Sequence, residues 1–506
     1  MADNEDVGSI SRLPEDIIHH ILSFLEPKEA ATRSILSKAW LTAWRTRPTL
    51  DIDFHKLIPS MKHEDKVIDY VIKNLSRYKD ENIGITTFTF YCGSSFCRRS
   101  LLDSCIQLIK ENGLRNLNIG LPRRDVPQSV FKVKSLLDLT LRICRLWHPK
   151  VIMCHKLKRL ELSEVCLDDE MLENIVRSCP LIEILEIIWC DGIRNLNVTN
   201  LHNLKRLRLE GVQRDPMVPS ELTLGEHKYQ NLTSLLLRDV RINDNFFVKL
   251  GDRFPRLENL SIQLCEDVQR IKISSPSLKT IQLVNNVRLM EAQFDAPSIV
   301  LFKYHDNIGQ NEIFPELSFT TTSGGWVSDI CIECNGSIDA SWFLKLKGFL
   351  KRLNQSQVFV TVQFQGDVTF NRDDEMTNSA AFSDRQEIQE FYVHQDQQKF
   401  SVSRAVAILD GIFWTCRPLT ITQPNCNHCD SMKLHFEMLV LRSNPQNSNF
   451  QGMKFWQSDL KEVRDIEIFR FGIFTRGIAV FKEGRGLRLP QTLDWECFWK
   501  VLESHN

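Results

Sequence analysis

This sequence has no excess of positive charge: 63 lysines and arginines stand against 64 aspartates and glutamates in 506 residues, a net of −1. A dedicated nucleic-acid binder carries a basic excess, so DNA and RNA are disfavoured as partners. No apolar run approaches the roughly 18 residues that a membrane helix requires, so no membrane span is expected. The opening stretch, "MADNEDVGSI", is acidic and polar where a secretory signal has a basic segment and then an apolar core. Without such a signal, the 15 cysteines read as reduced thiols of a cytoplasmic or nuclear protein. Catalytic signatures are missing too. There is no G-x-x-x-x-G-K-[ST], no G-x-G-x-x-G, no H-E-x-x-H and no G-x-S-x-G. The chain is therefore expected to be no enzyme and to need no cofactor. Two C-x-x-C pairs occur, Cys331/Cys334 and Cys426/Cys429, the latter around His428. The first lies in the alternating run "SDICIEC", where residues i and i+3 fall on opposite faces. No metal site is expected, and the tight series of eight Cys/His ligands that a RING needs is not there.

What is present is ordinary globular composition, 42% apolar and 25% charged, enough for two to four domains or one repeat array. The stretch "LPEDIIHHILSFLEPKEAATRSILSKAW" occupies residues 13–40. On a helix, Leu13, Pro14, Ile17, Ile18, Ile21, Leu22, Phe24 and Leu25 make one broad apolar stripe. Pro14 suits a first helical turn, and Glu15 and Asp16 suit the positive end of the helix dipole. Pro27 ends the helix. A second helix is predicted from Lys28 to Leu36, and Ser37 is the expected cap of a third that carries Trp40, Leu41 and Trp44. Three short helices cannot hide so wide a stripe. It is covered either by the rest of this chain or by another protein, and the residues alone leave both open. A homeodomain-like unit would show Arg, Asn or Gln on its third helix; this one shows two tryptophans.

The middle of the chain repeats the frame L-x-x-L-x-L. Strict copies are "LRNLNI" (114–119), "LLDLTL" (136–141), "LKRLEL" (157–162), "LKRLRL" (204–209), "LTSLLL" (232–237) and "LENLSI" (257–262). Composition alone would give about one such match. Looser copies begin at 85, 182, 278, 299, 327 and 359, so that starts fall 21 to 32 residues apart, close to leucine-rich-repeat spacing. Several longer gaps hold helical patterns: "RRSLLDSCIQLIKEN", "LDDEMLENIVRSC", "NDNFFVKLGDRF" and "DASWFLKLKGFLKRL". The shortest gaps have room only for a turn and a short strand. The frame's fourth and sixth residues point into the core, and its third and fifth point out of the concave face of the sheet. For any single outward residue, a solvated face is the simpler reading. As a set they form a large surface of mixed charge suited to a protein target. Arg159, Glu161, Glu186, Arg206, Arg208 and Leu236, near the middle of the array, are the candidate target-binding residues. "HEDKVIDYVIKNLSRY" is predicted to be a bridging helix. After about residue 365 the frame fades, and "SVSRAVAILDGIFWTCRPLTIT" reads as a helix followed by a strand. "DSMKLHFEMLVLRSNPQN" also reads as structured.

Leu13-Pro14, the stripe of Ile17, Ile18, Ile21, Leu22 and Leu25, Ser34, Leu36-Ser37-Lys38, Trp40 and Trp44 resemble the F-box of plant F-box/leucine-rich-repeat proteins over residues 9–54. Ala39 stands where arginine is usual, and Thr32 where an apolar residue is commoner. Leu460-Lys461-Glu462-Val463 resembles the region called FBD that follows the repeats in many such proteins, although the chain departs from it beyond Phe471. The resemblance implies an α/β chain: an N-terminal three-helix F-box (9–54), a helical linker (55–84), an irregular leucine-rich-repeat solenoid (85–365) and a C-terminal α/β FBD-like region (366–506). It further implies that Leu13, Pro14, Ile17, Ile18, Ile21, Leu22, Leu25, Leu36, Trp40 and Trp44 bind a Skp-type adaptor, which links the chain to a cullin–RING ubiquitin ligase, while the repeats hold a protein target. The alternative is a leucine-rich-repeat scaffold with no ligase attached.

Overall fold

Each repeat frame becomes a short strand because its alternate leucines can be buried only from an extended backbone. The computed structural model describes residues 13–25, 27–35, 37–54, 64–93, 99–147, 151–193, 196, 198–211, 228–308, 313–370, 385–395, 402–423 and 465–468. These fall in two compact units: Met1–Ile242 with Arg253–Arg256, and Asn243–Asp252 with Leu257–Asn506.

The first unit opens with three helices. Helix α1, Glu15–Ser23, starts at Pro14 with Glu15 and Asp16 in its first turn. Helix α2 is Pro27–Arg33. Helix α3, Lys38–Thr46, is capped by Ser37, whose hydroxyl accepts the Trp40 N–H at 3.3 Å. Ile18, Leu22, Ala30, Trp40 and Ala43 form their shared core, with Leu13, Ile21, Leu25, Ala39 and Trp44 packed against it. Two bonds tie α3 to the next helix, α4, Glu64–Asp80: Arg77 Nη2 donates to the Arg45 carbonyl at 2.8 Å and the Tyr78 hydroxyl to the Arg47 carbonyl at 3.2 Å.

The strands then add one by one. They are β1 Thr49–Asp53, β2 Thr87–Tyr91, β3 Asn116–Asp125, β4 Asp138–Arg145, β5 Arg159–Ser163, β6 Ile184–Ile188, β7 Arg206–Glu210 and β8 Ser234–Arg238. Helix α5, Arg99–Ile109, precedes β3, and helix α6, Asp169–Ser178, precedes β6. Every successive pair is parallel. The register stacks the fourth frame residues, Leu117, Leu139, Leu160, Leu185, Leu207 and Leu235, into one row, and all are buried. The first strand, from "TLDID", lies within the segment that the resemblance assigned to the F-box; the sheet thus begins at Thr49 rather than at residue 85.

The second unit repeats the plan. Its main sheet contains β9 Asn259–Gln263, β11 Thr280–Val284, β13 Leu301–Asn307, β15 Val327–Cys334 and β16 Gln357–Phe364, paired in that order. Three of the gaps here, two short and one longer, each supply a further strand, β10 Arg270–Ser274, β12 Glu291–Asp295 and β14 Glu316–Thr320, and these form a second parallel sheet. Helix α7 is Ala340–Lys351 and helix α8 is Val402–Thr415. The ladder continues past 365 through β17 Gln386–Gln395, β18 Cys416–Gln423 and β19 Asp465–Ile468. Apart from β19, the FBD-like stretch and "DSMKLHFEMLVLRSNPQN" lie outside the described residues.

A backbone device joins neighbouring repeats. A left-handed residue follows six of the strands, Glu164, Trp189, Gly211, Asp239, Leu264 and Asn285, and a seventh, Ile143, lies inside β4; their φ values run from 49° to 58°. Each is the eighth of its frame. The N–H groups of Glu164, Trp189, Gly211 and Leu264 donate to the carbonyl closing the next strand, Ile188, Glu210, Arg238 and Val284 respectively, and that of Asn285 to His305 within β13. Each turn thus uses an otherwise orphaned donor to fix the next repeat.

Candidate functional site

The three-helix unit divides the expected adaptor-binding residues into two sets. Ile18, Leu22 and Trp40 are buried in the unit's own core, and Leu13, Ile21, Leu25 and Trp44 pack against it half-buried. These seven hold the helices together. Pro14 and Ile17 face outward, and Leu36 lies outside the described residues. Two exposed residues join Ile17 that the sequence reading did not single out as binding residues: Phe24 is 75% exposed and Ile35 is 82% exposed. Phe24 closes the apolar stripe just past α1. Ile35, between α2 and α3, is an apolar residue on no stripe, and that was the signal available for it. Ile17, Phe24 and Ile35 are the apolar surplus of a unit too small to cover them.

The second candidate surface is the outer face of β4–β8. Here the register brings together residues 19 to 27 apart in sequence. Glu161 and Glu186 face each other in adjacent strands, and Arg208 follows in the same row. Arg142 Nη2 bonds Glu161 Oε1 at 2.9 Å. Arg159 Nη2 bonds both Glu161 Oε2 at 2.9 Å and Glu186 Oε2 at 2.6 Å. Arg208 bonds Glu210 Oε1 at 2.8 Å. The carboxylates are buried: Glu161 is 8% exposed, Glu186 6% and Glu210 4%. The sequence placed Glu161 and Glu186 on a solvated face. The structure keeps the face and buries the acids, because arginines from neighbouring strands lie across them. Burial pushes the Asp138 carboxyl above its ordinary range; Arg159 pulls it down, and Glu161 and Glu186 add to the rise. Arg206 is exposed and makes no ion pair among the described residues. Leu236 sits beside Arg208 in the register, half-buried.

In the second unit a groove of about 370 Å³ crosses the sheet over Leu301, Lys303, Asp329, Phe359, Glu390 and Tyr392. Lys303 Nζ lies 3.5 Å from Asp329, which neutralises part of its wall. On β15 Cys331 is half-buried on one face and Cys334 is buried on the other, so one ion cannot bind both thiols. Burial, then Glu333 and Asp329, pushes the Cys331 thiol up to about 11. Cys426, His428 and Cys429 lie outside the described residues. Among the described residues no group of three or more His, Cys, Asp or Glu is placed to hold a metal ion. No described helix is long and apolar enough to cross a membrane.

Residues 10–51 match the F-box domain family. Residues 77–223 match the family described as At1g61320/AtMIF1, LRR domain, and residues 196–312 the one described as FBD-associated F-box protein At5g56370, LRR repeats. Similar proteins come from Arabidopsis thaliana. F-box/LRR-repeat protein 25 is 27% identical over 247 residues, 47% of this chain and 89% of that protein. F-box protein At5g03100 is 27% identical over 229 residues, 45% of this chain and 70% of that protein. An F-box/FBD/LRR-repeat protein, At3g59240, is 31% identical over 212 residues, 39% of this chain; the chain spans only 41% of that relative.

Proposed function

We propose that this chain, which carries an F-box followed by leucine-rich repeats, is the non-catalytic substrate-recognition subunit of a Skp–cullin–F-box ubiquitin ligase. The observation that carries the reading is the exposed apolar set Ile17, Phe24 and Ile35 around a small, already closed core. Burying one such side chain is worth about 1.5–3 kcal/mol, so a Skp-type adaptor that covered these residues would bind through them, and a cullin would join through the adaptor. The outer face of the strand ladder would hold the target. No bond is made or broken on this chain. Its work is to raise the concentration of target lysines near a charged ubiquitin carrier held by the same assembly. The composition and reduced thiols fit the cytoplasm or the nucleus.

The test is capture of the full chain by a purified Skp-type adaptor. Ile17→Asp and Phe24→Asp alter exposed residues, so each is expected to weaken capture at least about tenfold, or about 1.4 kcal/mol, with thermal unfolding unchanged. Leu22→Asp would instead break the unit's own core and serves as the control for misfolding. Wild-type chain that fails to bind the adaptor would leave a leucine-rich-repeat scaffold with no ligase attached.

A further inference from the structure

The outer face of β4–β8 is layered, with acids below and arginines above. The buried carboxylates of Glu161, Glu186 and Glu210 are covered by guanidinium groups whose side chains are 57% exposed for Arg142 and 39% for both Arg159 and Arg208. At the outward positions of these strands the arginines are Arg142, Arg159, Arg206, Arg208 and Arg238, and the acids are Asp138, Glu161, Glu186 and Glu210, five against four. No lysine stands among them. Solvent therefore meets guanidinium in preference to the buried carboxylates of Glu161, Glu186 and Glu210, and Asp138, at the edge of the set, is half-buried. Arg142 and Arg159 bond these carboxylates through Nη2, and among the described residues neither donates a hydrogen bond to a carboxylate through Nη1. Arg206 makes no ion pair among the described residues. The internal glutamates also hold these long side chains in place, which lowers the entropy lost when a ligand binds. Between the arginines stand half-buried aliphatic side chains, Ile184, Ile188 and Leu236.

We propose that this face takes an acidic segment of a protein target, rich in aspartate and glutamate, whose carboxylates meet Arg142, Arg159, Arg206 and Arg208 and whose apolar side chains rest on Ile184, Ile188 and Leu236. The inference rests on the reading of this sheet face as the target surface. Guanidinium forks match planar carboxylates in two-pronged geometry. A nucleic acid is the poorer occupant, because the chain as a whole is balanced at −1.

Full-length protein is exposed to immobilised degenerate peptides of equal length and apolar content, in three sets: aspartate/glutamate-containing, phosphoserine-containing and lysine-containing. The acidic set is expected to capture at least about tenfold more protein than the lysine set, and added salt to weaken the capture. Arg206→Glu reverses a charge without breaking an internal ion pair. It is expected to lower acidic capture at least about tenfold, with the melting temperature unchanged. Equal capture of acidic and lysine sets overturns the proposal. So does a preference confined to phosphoserine, and so does acidic capture indifferent to Arg206→Glu. The adaptor is absent from this measurement. A chain that binds the adaptor but no acidic peptide keeps the ligase reading and loses this one; the reverse result does the opposite.

Discussion

Ile143 is the residue least suited to its place. It is β-branched and sits at φ 53°, in the left-handed region, where an L side chain crowds its own carbonyl at a cost of about 1–2 kcal/mol. The same frame position holds Asn285 and Asp239, which tolerate that backbone, and Gly211, which favours it. Nothing in the sequence marks the position, because Glu164, Trp189 and Leu264 adopt it as well; at five of the seven positions the backbone N–H there bonds the next repeat, a demand of the stacking and not of local preference. Ile143→Asn is therefore expected to stabilise the chain by about 0.5–1 kcal/mol, since the side chain is only half-buried. Gly211→Ala carries the opposite sign: its Cβ would enter the ring of Trp189 at an already left-handed φ. Chemical denaturation of both variants reads the two signs. A lower midpoint for Ile143→Asn, or an unchanged one for Gly211→Ala, would remove the argument.

At the scale of elements, the local patterns were legible and the pairings across strands were not. The period of two in "LKRLEL" and the period of 3.6 in "LDDEMLENIVRSC" produced β5 and α6 where the sequence placed them. The strand Thr49–Asp53 was alternating too, but was read as part of the F-box it follows. Helix α8 and strand β18 stand where "SVSRAVAILDGIFWTCRPLTIT" placed a helix and a strand, but β17, and the pairing of both strands with the ladder, carry no leucine frame to mark them. Burial of the glutamates depends on register between residues more than 15 apart, which no local pattern carries. That register has an energetic consequence. Without Arg159, Glu161 and Glu186 would face each other across adjacent buried positions, with Arg142 alone beside Glu161. Breaking a fully buried pair costs about 3–5 kcal/mol; because the Arg159 side chain is 39% exposed, about 1–3 kcal/mol is the expected loss for Arg159→Ala. Adding Glu186→Gln should recover most of it. A double-mutant cycle that found the two losses simply additive would show that the pair is not coupled.

Across the described residues, stability is distributed unevenly, and the two proposed surfaces sit at opposite ends of that distribution. The helices α1, α2 and α3 have 9, 7 and 9 residues, below the roughly 12–15 at which isolated helices become marginal. Their fully buried core is small, Ile18, Leu22, Ala30, Trp40 and Ala43. Strands β3–β6 instead share an unbroken row of buried leucines, and each is bonded on both sides. Local opening follows buried apolar contact, so residues 15–46 should exchange their amide hydrogens well before β3–β6 do. An adaptor that binds only the closed helices adds RT ln(1 + [L]/Kd), about 2.7 kcal/mol at a hundredfold excess over Kd, which is about a hundredfold slower exchange in 15–46. The strands should be unaffected. Hydrogen exchange read by mass spectrometry, with and without a Skp-type adaptor, measures both. If the free helices exchanged as slowly as β3–β6, the surplus apolar surface would already be covered and would not be waiting for a partner. If the adaptor slowed the strands and left 15–46 unchanged, it would be binding the ladder, and Ile17, Phe24 and Ile35 would not be its contacts.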